Sequence, residues 1–147
     1  MKSIRLLLAN CQPIFRNSLR LLLERDPEVQ VVAEAANGRE AIVLAEYQNP
    51  EVVLLDIQLP HVPGITAARE ISSKRPDTKI IFVSMLTDES YVQEAFKAGA
   101  RGYVLGDTAQ TDLPIAIKTV AKGGAFLSPA ISANLIDEYK LWRHIYS

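Results

Sequence analysis

The sequence predicts an α/β protein built on a parallel sheet with helices on both faces. Short apolar segments and amphipathic segments alternate five times along the chain, and the connections between them are short. The segment before Asp56 is the clearest strand, because its four apolar residues, Val52-Val53-Leu54-Leu55, run without alternation. Such a run is typical of a strand buried on both faces. Repeated strand–helix pairs with short connections favour a parallel sheet between two layers of helices.

The first half of the chain is predicted to form three strands and two helices. Pro13 suits the first turn of a helix, where its missing N–H is not needed, and Asp26-Pro27 ends that helix. Asn37 and Glu40 have the spacing of a capping box at a helix start. The predicted elements are the strand 4–9, a helix from Pro13 with Phe15, Leu19, Leu22 and Leu23 on one face, the strand 29–35, a helix buried through Ala41, Leu44 and Ala45, and the strand ending at Asp56.

The second half continues the alternation with two more strands and three helices. Gly99 is expected to end one helix in the left-handed conformation, Thr111 or Asp112 to begin the last one, and Gly123-Gly124 to end it. The predicted elements are the helix 64–74 ended by Pro76, the strand 79–84, the helix 88–98 with Val92, Ala95 and Phe96 inward, the strand 102–105, and a helix with Leu113, Ile117, Val120 and Ala121 on one stripe.

Composition predicts one soluble intracellular domain. The length of 147 residues suits a single hydrophobic core, and a net charge of −1 without a basic block argues against nucleic-acid binding by counterion release. The single cysteine, Cys11, excludes an internal disulfide and suits a reducing cytoplasm. No apolar stretch reaches the length of a membrane span, and no signal-peptide cleavage site is visible.

Polar residues stand at the ends of three predicted strands. Asn10 follows the first strand, Asp56 follows the third, and Ser84 ends the fourth. In open parallel sheets, ligands bind outside the carboxyl ends of the strands, so these side chains are expected to meet at one edge. The alternative for Asp56 is that it caps its own loop. The loop after the first strand contains no glycine for phosphate binding, and His61 and His144 lack metal-ligand spacing, which argues against nucleotide and zinc sites.

Several short motifs occur together in this chain. They are Leu7-Leu8-Ala9 with Pro13-Ile14-Phe15-Arg16, Leu54-Leu55-Asp56 with Leu59-Pro60 and Gly64, the segment from Ala95 to Tyr103, and Gly123-Gly124 with Leu127-Ser128-Pro129. In combination they resemble the receiver domains of two-component response regulators of the NarL/FixJ (LuxR-type) subfamily. The resemblance covers residues 3–129. It implies a flavodoxin-like, CheY-like fold with five parallel strands in the order 2-1-3-4-5, a receiver domain over residues 1–127, and a linker helix over residues 128–147.

The resemblance also assigns roles to individual residues. Asp56 matches the phosphoacceptor, Ser84 the hydroxyl that meets the phosphoryl group, and Tyr103 the aromatic switch, although core packing is the favoured reading of a tyrosine on a strand. The acidic pair that holds Mg²⁺ in this family is replaced by Asn10 and Cys11. The family's lysine after the fifth strand is replaced by Gly106, although the following Asp107 fits the subtype.

These replacements remove the charges that phosphoryl transfer needs. Mg²⁺ binds hard oxygen ligands, and here Asp56 with the Gln58 carbonyl would supply them at best, because Asn10 is neutral and Cys11 is soft. Gly106 offers no cation, and if this glycine adopts a positive φ, a lysine would be strained there. We therefore expect a pocket without metal, in a receiver that is not an enzyme. No cofactor is expected. Mg²⁺ would bind only if the pocket is a functional phosphorylation site.

Two functions from different classes follow. The first is a phosphorylation-independent module that dimerises or binds a protein partner; the second is a working Asp56 phosphoacceptor, which would have a sensor histidine kinase as partner. A small ligand in the emptied pocket is a third possibility. The family context implies a cytoplasmic regulator of transcription that reaches DNA only through a helix-turn-helix domain absent from this chain. After the Ser128-Pro129 helix opening, Leu135, Tyr139, Trp142 and Tyr146 fall near one face, which either folds back on the domain or leads to a further one.

Overall fold

The computed structural model describes residues 3–135 and residue 137, and its sheet matches the predicted fold class. Six parallel strands lie in the order β2-β1-β3-β4-β5-β6. The elements in chain order are β1 (Ile4–Ala9), α1 (Pro13–Glu24), β2 (Val29–Ala35), α2 (Gly38–Gln48), β3 (Val52–Leu55), α3 (Gly64–Lys74), β4 (Lys79–Ser84), α4 (Glu89–Lys97), β5 (Gly102–Leu105), a 3₁₀ turn (Gly106–Thr108), α5 (Ala109–Ala121) and β6 (Phe126–Leu127).

The sixth strand is an addition to the predicted five. It contains only Phe126 and Leu127, which pair in parallel with Gly102 and Tyr103 of β5. Two residues are too few to show a periodic pattern, so the strand exists only because the chain after α5 returns along the edge of the sheet.

The core forms on both faces of the sheet. One face is covered by α2, α3 and α4 and the other by α1 and α5. Alternate residues of each strand point to opposite faces, so the apolar run of β3 fills both layers at once. The first layer includes Leu7, Leu55, Phe82, Tyr103, Ala45, Ile71 and Val92, and the second includes Leu6, Leu8, Leu54, Ile81, Leu19, Leu113 and Ile117.

Most helix ends follow the predicted signals. The Glu40 N–H donates to the Asn37 side chain at 2.9 Å, and the Glu40 carboxylate accepts from the Ala36 N–H at 2.9 Å, which is a close variant of the capping box. Gly99 and Gly123 adopt φ values of +105° and +96° after α4 and α5. At each end the two bonds of a Schellman motif satisfy carbonyl groups of the last turn.

The predicted start of the last helix was wrong. Thr111 or Asp112 was expected to cap it, but α5 begins at Ala109 because the 3₁₀ turn runs directly into it. Asp112 is buried instead, and its carboxylate accepts hydrogen bonds from Thr108 Oγ1 at 2.6 Å and Ser128 Oγ at 2.8 Å.

The chain after β6 packs against its own domain as far as it is described. Residues 129–135 are helical, Ile131 is buried in the layer that contains α4, and Leu135 packs against that layer. Tyr139, Trp142 and Tyr146, which were predicted to share a face, lie outside the described residues. No helix within residues 3–135 is long and apolar enough to span a membrane.

Candidate functional site

The carboxyl ends of β1, β3, β4 and β5 open into one cavity of about 350 Å³. The three side chains predicted to share this edge, Asn10, Asp56 and Ser84, all line it, together with Gly106. Their functional roles stay predictions. The remaining lining residues are Gln12, Phe15, Gln58, Val83, Met85 and Asp107.

Asp56 is partly buried and has weak hydrogen-bond support. Its Oδ2 accepts from Asn10 Nδ2 at 3.4 Å, and its Oδ1 accepts from the Gln58 N–H at 3.2 Å. Burial raises the pKa of the Asp56 carboxyl group above its ordinary value of 3.8, while backbone hydrogen bonds from Gln58 and Ile57 act in the opposite direction. None of the residues lining the cavity is a lysine, arginine or histidine. The carboxylate therefore faces the cavity without a neighbouring cation.

Asn10 is oriented by the loop that follows β1. Its Oδ1 accepts a hydrogen bond from the Gln12 N–H at 2.8 Å, so Nδ2 is the amide atom left to face Asp56. An amide flip would break the shorter of these two hydrogen bonds. With only 3% of its surface exposed, Asn10 is also held by burial. The residue at the first position of the family's acidic pair thus presents an N–H donor to Asp56.

The second position of that pair is occupied by the half-buried Cys11. Its Sγ lies 3.8 Å from the backbone carbonyl oxygen of Gln58, a weak S–H contact. This carbonyl is the backbone ligand that the sequence analysis assigned to a metal. The thiol therefore sits where a hard ligand would be needed, beside the carbonyl group that would have to share the ion.

These residues do not fit Mg²⁺. The ion requires near-octahedral oxygen coordination, usually with one or two carboxylates. Asp56 supplies one carboxylate, Asn10 directs an N–H toward it, and the sulfur of Cys11 is a soft ligand. Among residues 3–135 and 137, no three His, Cys, Asp or Glu side chains form a group that could hold a metal ion.

Gly106 does not have the positive φ that would make a lysine strained at this position. Its dihedrals belong to the 3₁₀ turn that leads into α5, and only Gly99 and Gly123 among the glycines have positive φ. A Cβ atom at Gly106 would lie 2.5 Å from Met85 Sδ. Apart from Met85, the nearest side chain is that of Phe15, whose Cζ would lie 3.8 Å from the same Cβ. The thioether is the flexible end of an exposed side chain and can move. The three atoms nearest to a Cβ at position 106 therefore all belong to side chains and not to the backbone.

Ser84 and Tyr103 bond the same residue of the loop after β4. Ser84 Oγ accepts from the Leu86 N–H at 3.0 Å, and the Tyr103 hydroxyl donates to the Leu86 carbonyl oxygen at 2.7 Å. Burial raises the pKa of the Tyr103 hydroxyl, and its ring centroid lies 6.4 Å from that of Phe82. Tyr103 is thus a buried core residue that also anchors the loop; its role as a switch stays a prediction.

The loop between Asp56 and α3 is shaped by close backbone contacts. Its Gly64 N–H donates to the Ile57 carbonyl oxygen at 2.9 Å, and a Cβ on Gly64 would lie 2.0 Å from the Asp56 carbonyl oxygen. His61 is exposed and has a φ of +67°, a conformation that costs an L-residue about 1–2 kcal/mol. The position of Asp56 therefore depends on a glycine at position 64.

Gln12, Phe15 and Met85 are among the lining residues of the cavity that were not predicted from the sequence. The Gln12 N–H orients Asn10, and the Phe15 ring and Met85 thioether form the apolar part of the lining. Phe15 was assigned to the buried face of α1, and Met85 follows Ser84 directly. Position just after a strand end was the available signal for Gln12 and Met85; nothing local distinguishes Phe15 from a core residue.

Comparisons with known proteins agree on one family. The sequence profile described as "Response regulator receiver domain" matches residues 6–118. The chain is 39% identical over 137 residues to the transcriptional regulatory protein DegU of Brevibacillus brevis, covering 93% of this chain and 58% of the relative. It is 38% identical to the transcriptional regulatory protein YxjL of Bacillus subtilis, covering 92% and 62%. The chain spans about three fifths of the length of these relatives.

Solved structures show the same similarity. A LuxR-family two-component response regulator from Aurantimonas superposes with a TM-score of 0.90 at 34% identity, covering 94% of this chain and 99% of that chain. RcsB, in a structure of two dimers bound to two parallel DNAs, superposes with a TM-score of 0.83 at 26% identity, covering 90% and 67%.

Proposed function

The chain belongs to the response regulator receiver domain family, and from that premise we propose that it is a receiver that regulates transcription without phosphorylation of Asp56. The observation that carries the proposal is the hydrogen bond from Asn10 Nδ2 to Asp56. This hydrogen bond places a neutral N–H donor beside the Asp56 carboxylate, at the position where the family has a metal-binding acidic residue.

Missing charge is the physical reason. Phosphoryl transfer to a carboxylate depends on positioning and on cations that neutralise the developing charge. Removing one preorganised electrostatic donor from an enzyme costs roughly 3–4 kcal/mol of transition-state stabilisation. Here both the metal-binding acids and the lysine are replaced, so two such contributions are missing. Together they would slow phosphorylation by several orders of magnitude.

The proposed partners follow from the relatives. DegU and YxjL are transcriptional regulatory proteins, and RcsB binds DNA as dimers. By analogy, we propose that this chain is the regulatory module of a transcription regulator. Its partner would be a second copy of the chain or another protein. DNA would be contacted through a separate domain. Control would then come from protein association, in the cytoplasm.

A conventional phosphoacceptor is the second candidate, because Asp56 and Ser84 line one cavity. A sensor histidine kinase would be its partner. Incubation with acetyl phosphate and Mg²⁺, followed by intact-mass measurement, separates the two candidates. We expect the mass of the unchanged protein to stay constant; a gain of one phosphoryl group that is lost in Asp56→Asn would overturn the proposal.

The positive control restores the missing charges. The triple variant Asn10→Asp, Cys11→Asp, Gly106→Lys should gain one phosphoryl group under the same conditions, and adding Asp56→Asn should abolish the gain. The ordinary φ of Gly106 supports this design, and the only atom within 3 Å of a Cβ at this position is the Met85 sulfur. Labelling of the triple variant would show that the conditions suffice and that the charges were the missing component.

A further inference from the structure

The cavity beside Asp56 is also complementary to a ligand of a particular chemistry. We propose that it binds a small organic cation, a primary alkylammonium group, with Asp56 as the counter-ion and the Phe15 and Met85 side chains around the alkyl chain. This inference rests on the proposed function, because a cavity that holds no phosphoryl group stays open to another ligand.

The charge of the lining selects a cation. Asp56 and Asp107 both line the cavity, whereas no lysine, arginine or histidine does. In the described part of the chain, neither carboxylate forms an ion pair within 4.0 Å. A partly buried carboxylate without a partner is an unfavourable arrangement, which a bound cation would relieve.

The hydrogen-bonding groups select a donor. A carboxylate offers about four lone-pair sites, and the hydrogen bonds that Asp56 accepts from Asn10 and Gln58 are long, at 3.4 Å and 3.2 Å. The carboxylate of Asp107 adds further acceptors. An ammonium group has three N–H donors and no acceptor. An ammonium group therefore matches the carboxylate acceptors of the lining.

The size and the apolar wall select a short alkyl chain. A volume of about 350 Å³ lies at the lower end of the range of roughly 300–1,000 Å³ for small-molecule sites. The Phe15 ring offers an aromatic surface to which a cation is attracted, and the Met85 thioether is a flexible apolar contact. Gly106 leaves this side of the cavity without a side chain. Together these features fit a single linear amine.

The test uses n-butylammonium chloride as the probe, with sodium chloride at equal ionic strength and 1-butanol as controls for charge and for shape. Thermal melting of the full chain should rise by about 2 °C or more at saturating n-butylammonium relative to sodium chloride. Butanol should give no such rise. Backbone amide resonances of Asn10 and Gln58 should shift during the same titration.

Variants locate the site. Asp56→Asn should abolish the response to n-butylammonium, whereas Asp77→Asn, which changes an exposed carboxylate outside the cavity, should retain it. Gly106→Lys places a tethered ammonium in the cavity, so it should melt at a higher temperature than the unchanged protein and no longer respond. This second variant keeps the test decisive if Asp56→Asn folds poorly.

Two results would overturn the inference. One is equal melting in n-butylammonium and sodium chloride without amide shifts at Asn10 and Gln58. The other is a response that survives both Asp56→Asn and Gly106→Lys, which would place binding elsewhere. Neither result changes the mass measured after acetyl phosphate treatment. Failure of this inference is therefore distinguishable from failure of the proposed function.

Discussion

At Asp56, burial opposes ionisation and no lysine, arginine or histidine in the cavity lining compensates for it. Because burial raises the folded-state pKa above 3.8, the folded protein keeps this proton to higher pH than the unfolded chain does. The free energy of unfolding therefore falls as pH rises from 3.8 through the folded-state pKa. At neutral pH the ionised carboxylate is a net cost to the fold.

Asp56→Asn should consequently stabilise the protein at neutral pH. The change removes the charge and keeps the size of the side chain, and the hydrogen bond to Asn10 that it alters is a long one of 3.4 Å. Melting temperatures measured at neutral pH and below pH 3.8 should show the gain only at neutral pH. A variant that is less stable than the unchanged protein at neutral pH would show that Asn10 and Gln58 fully compensate the burial of Asp56.

Gly64 supports Asp56 through the backbone. Gly64→Ala should destabilise the protein by about 2–3 kcal/mol, because the new Cβ would lie 2.0 Å from the Asp56 carbonyl oxygen and its three nearest atoms all belong to the backbone. Gly106→Ala is a matched control, since its Cβ meets only the Met85 thioether, and it should cost less than about 1 kcal/mol. Urea unfolding of both variants measures the difference. Equal costs would contradict this account of the loop.

At the scale of elements, Ser128 fastens the chain after β6 to the sheet and to α5. It is fully buried, its Oγ accepts from the Leu105 N–H at 3.0 Å, and it donates to Asp112 Oδ2 at 2.8 Å. The backbone N–H of Ser128 donates to the Tyr103 carbonyl oxygen at 3.0 Å. Residue 128 is thus hydrogen-bonded into the domain, while the boundary between residues 127 and 128 stays a prediction.

Ser128→Ala should cost about 1–3 kcal/mol, because it leaves the buried Leu105 N–H without its side-chain acceptor and removes one of the two hydrogen bonds to the buried Asp112 carboxylate. Ser132→Ala is the control, since its Oγ makes one long contact of 3.4 Å to the Leu127 carbonyl oxygen. Hydrogen exchange of the Leu105 amide should accelerate only in Ser128→Ala. Unchanged exchange at Leu105 would mean that this network carries little of the stability.

At the scale of the whole molecule, the melting temperature with and without Mg²⁺ shows whether the pocket can hold a metal ion. The double variant Asn10→Asp, Cys11→Asp places two more carboxylates near Asp56, so like-charge repulsion should lower the melting temperature. Mg²⁺ should recover it, because a ligand that binds only the folded state stabilises that state. The unchanged protein should melt identically with and without Mg²⁺. If the melting temperature of the double variant is also the same with and without Mg²⁺, the geometry of the pocket and not its charge prevents metal binding.

Much of the fold was predictable because its signals are local. The unbroken apolar run of β3, the capping residues Asn37 and Glu40, and the glycines after α4 and α5 act within a few residues of their own position. The parallel order of strands then places Asn10, Asp56 and Ser84 at one edge. The start of α5 was misassigned because Asp112, an ordinary cap residue by type, is used in a buried network.

The sequence by itself determined the fold class and the family, because each depends on residue type and spacing; the replacement of the family's charged pocket residues stays a prediction from the resemblance. Only the tertiary structure decided how those replacements behave. Asn10 and Asp56 are 46 positions apart, and Ser128 and Leu105 are 23 apart, so no local pattern could reveal that they bond. The direction of the Asn10 amide, the ordinary φ of Gly106 and the two-residue strand β6 likewise arise where distant segments meet, because packing sets these positions after the local structure has formed.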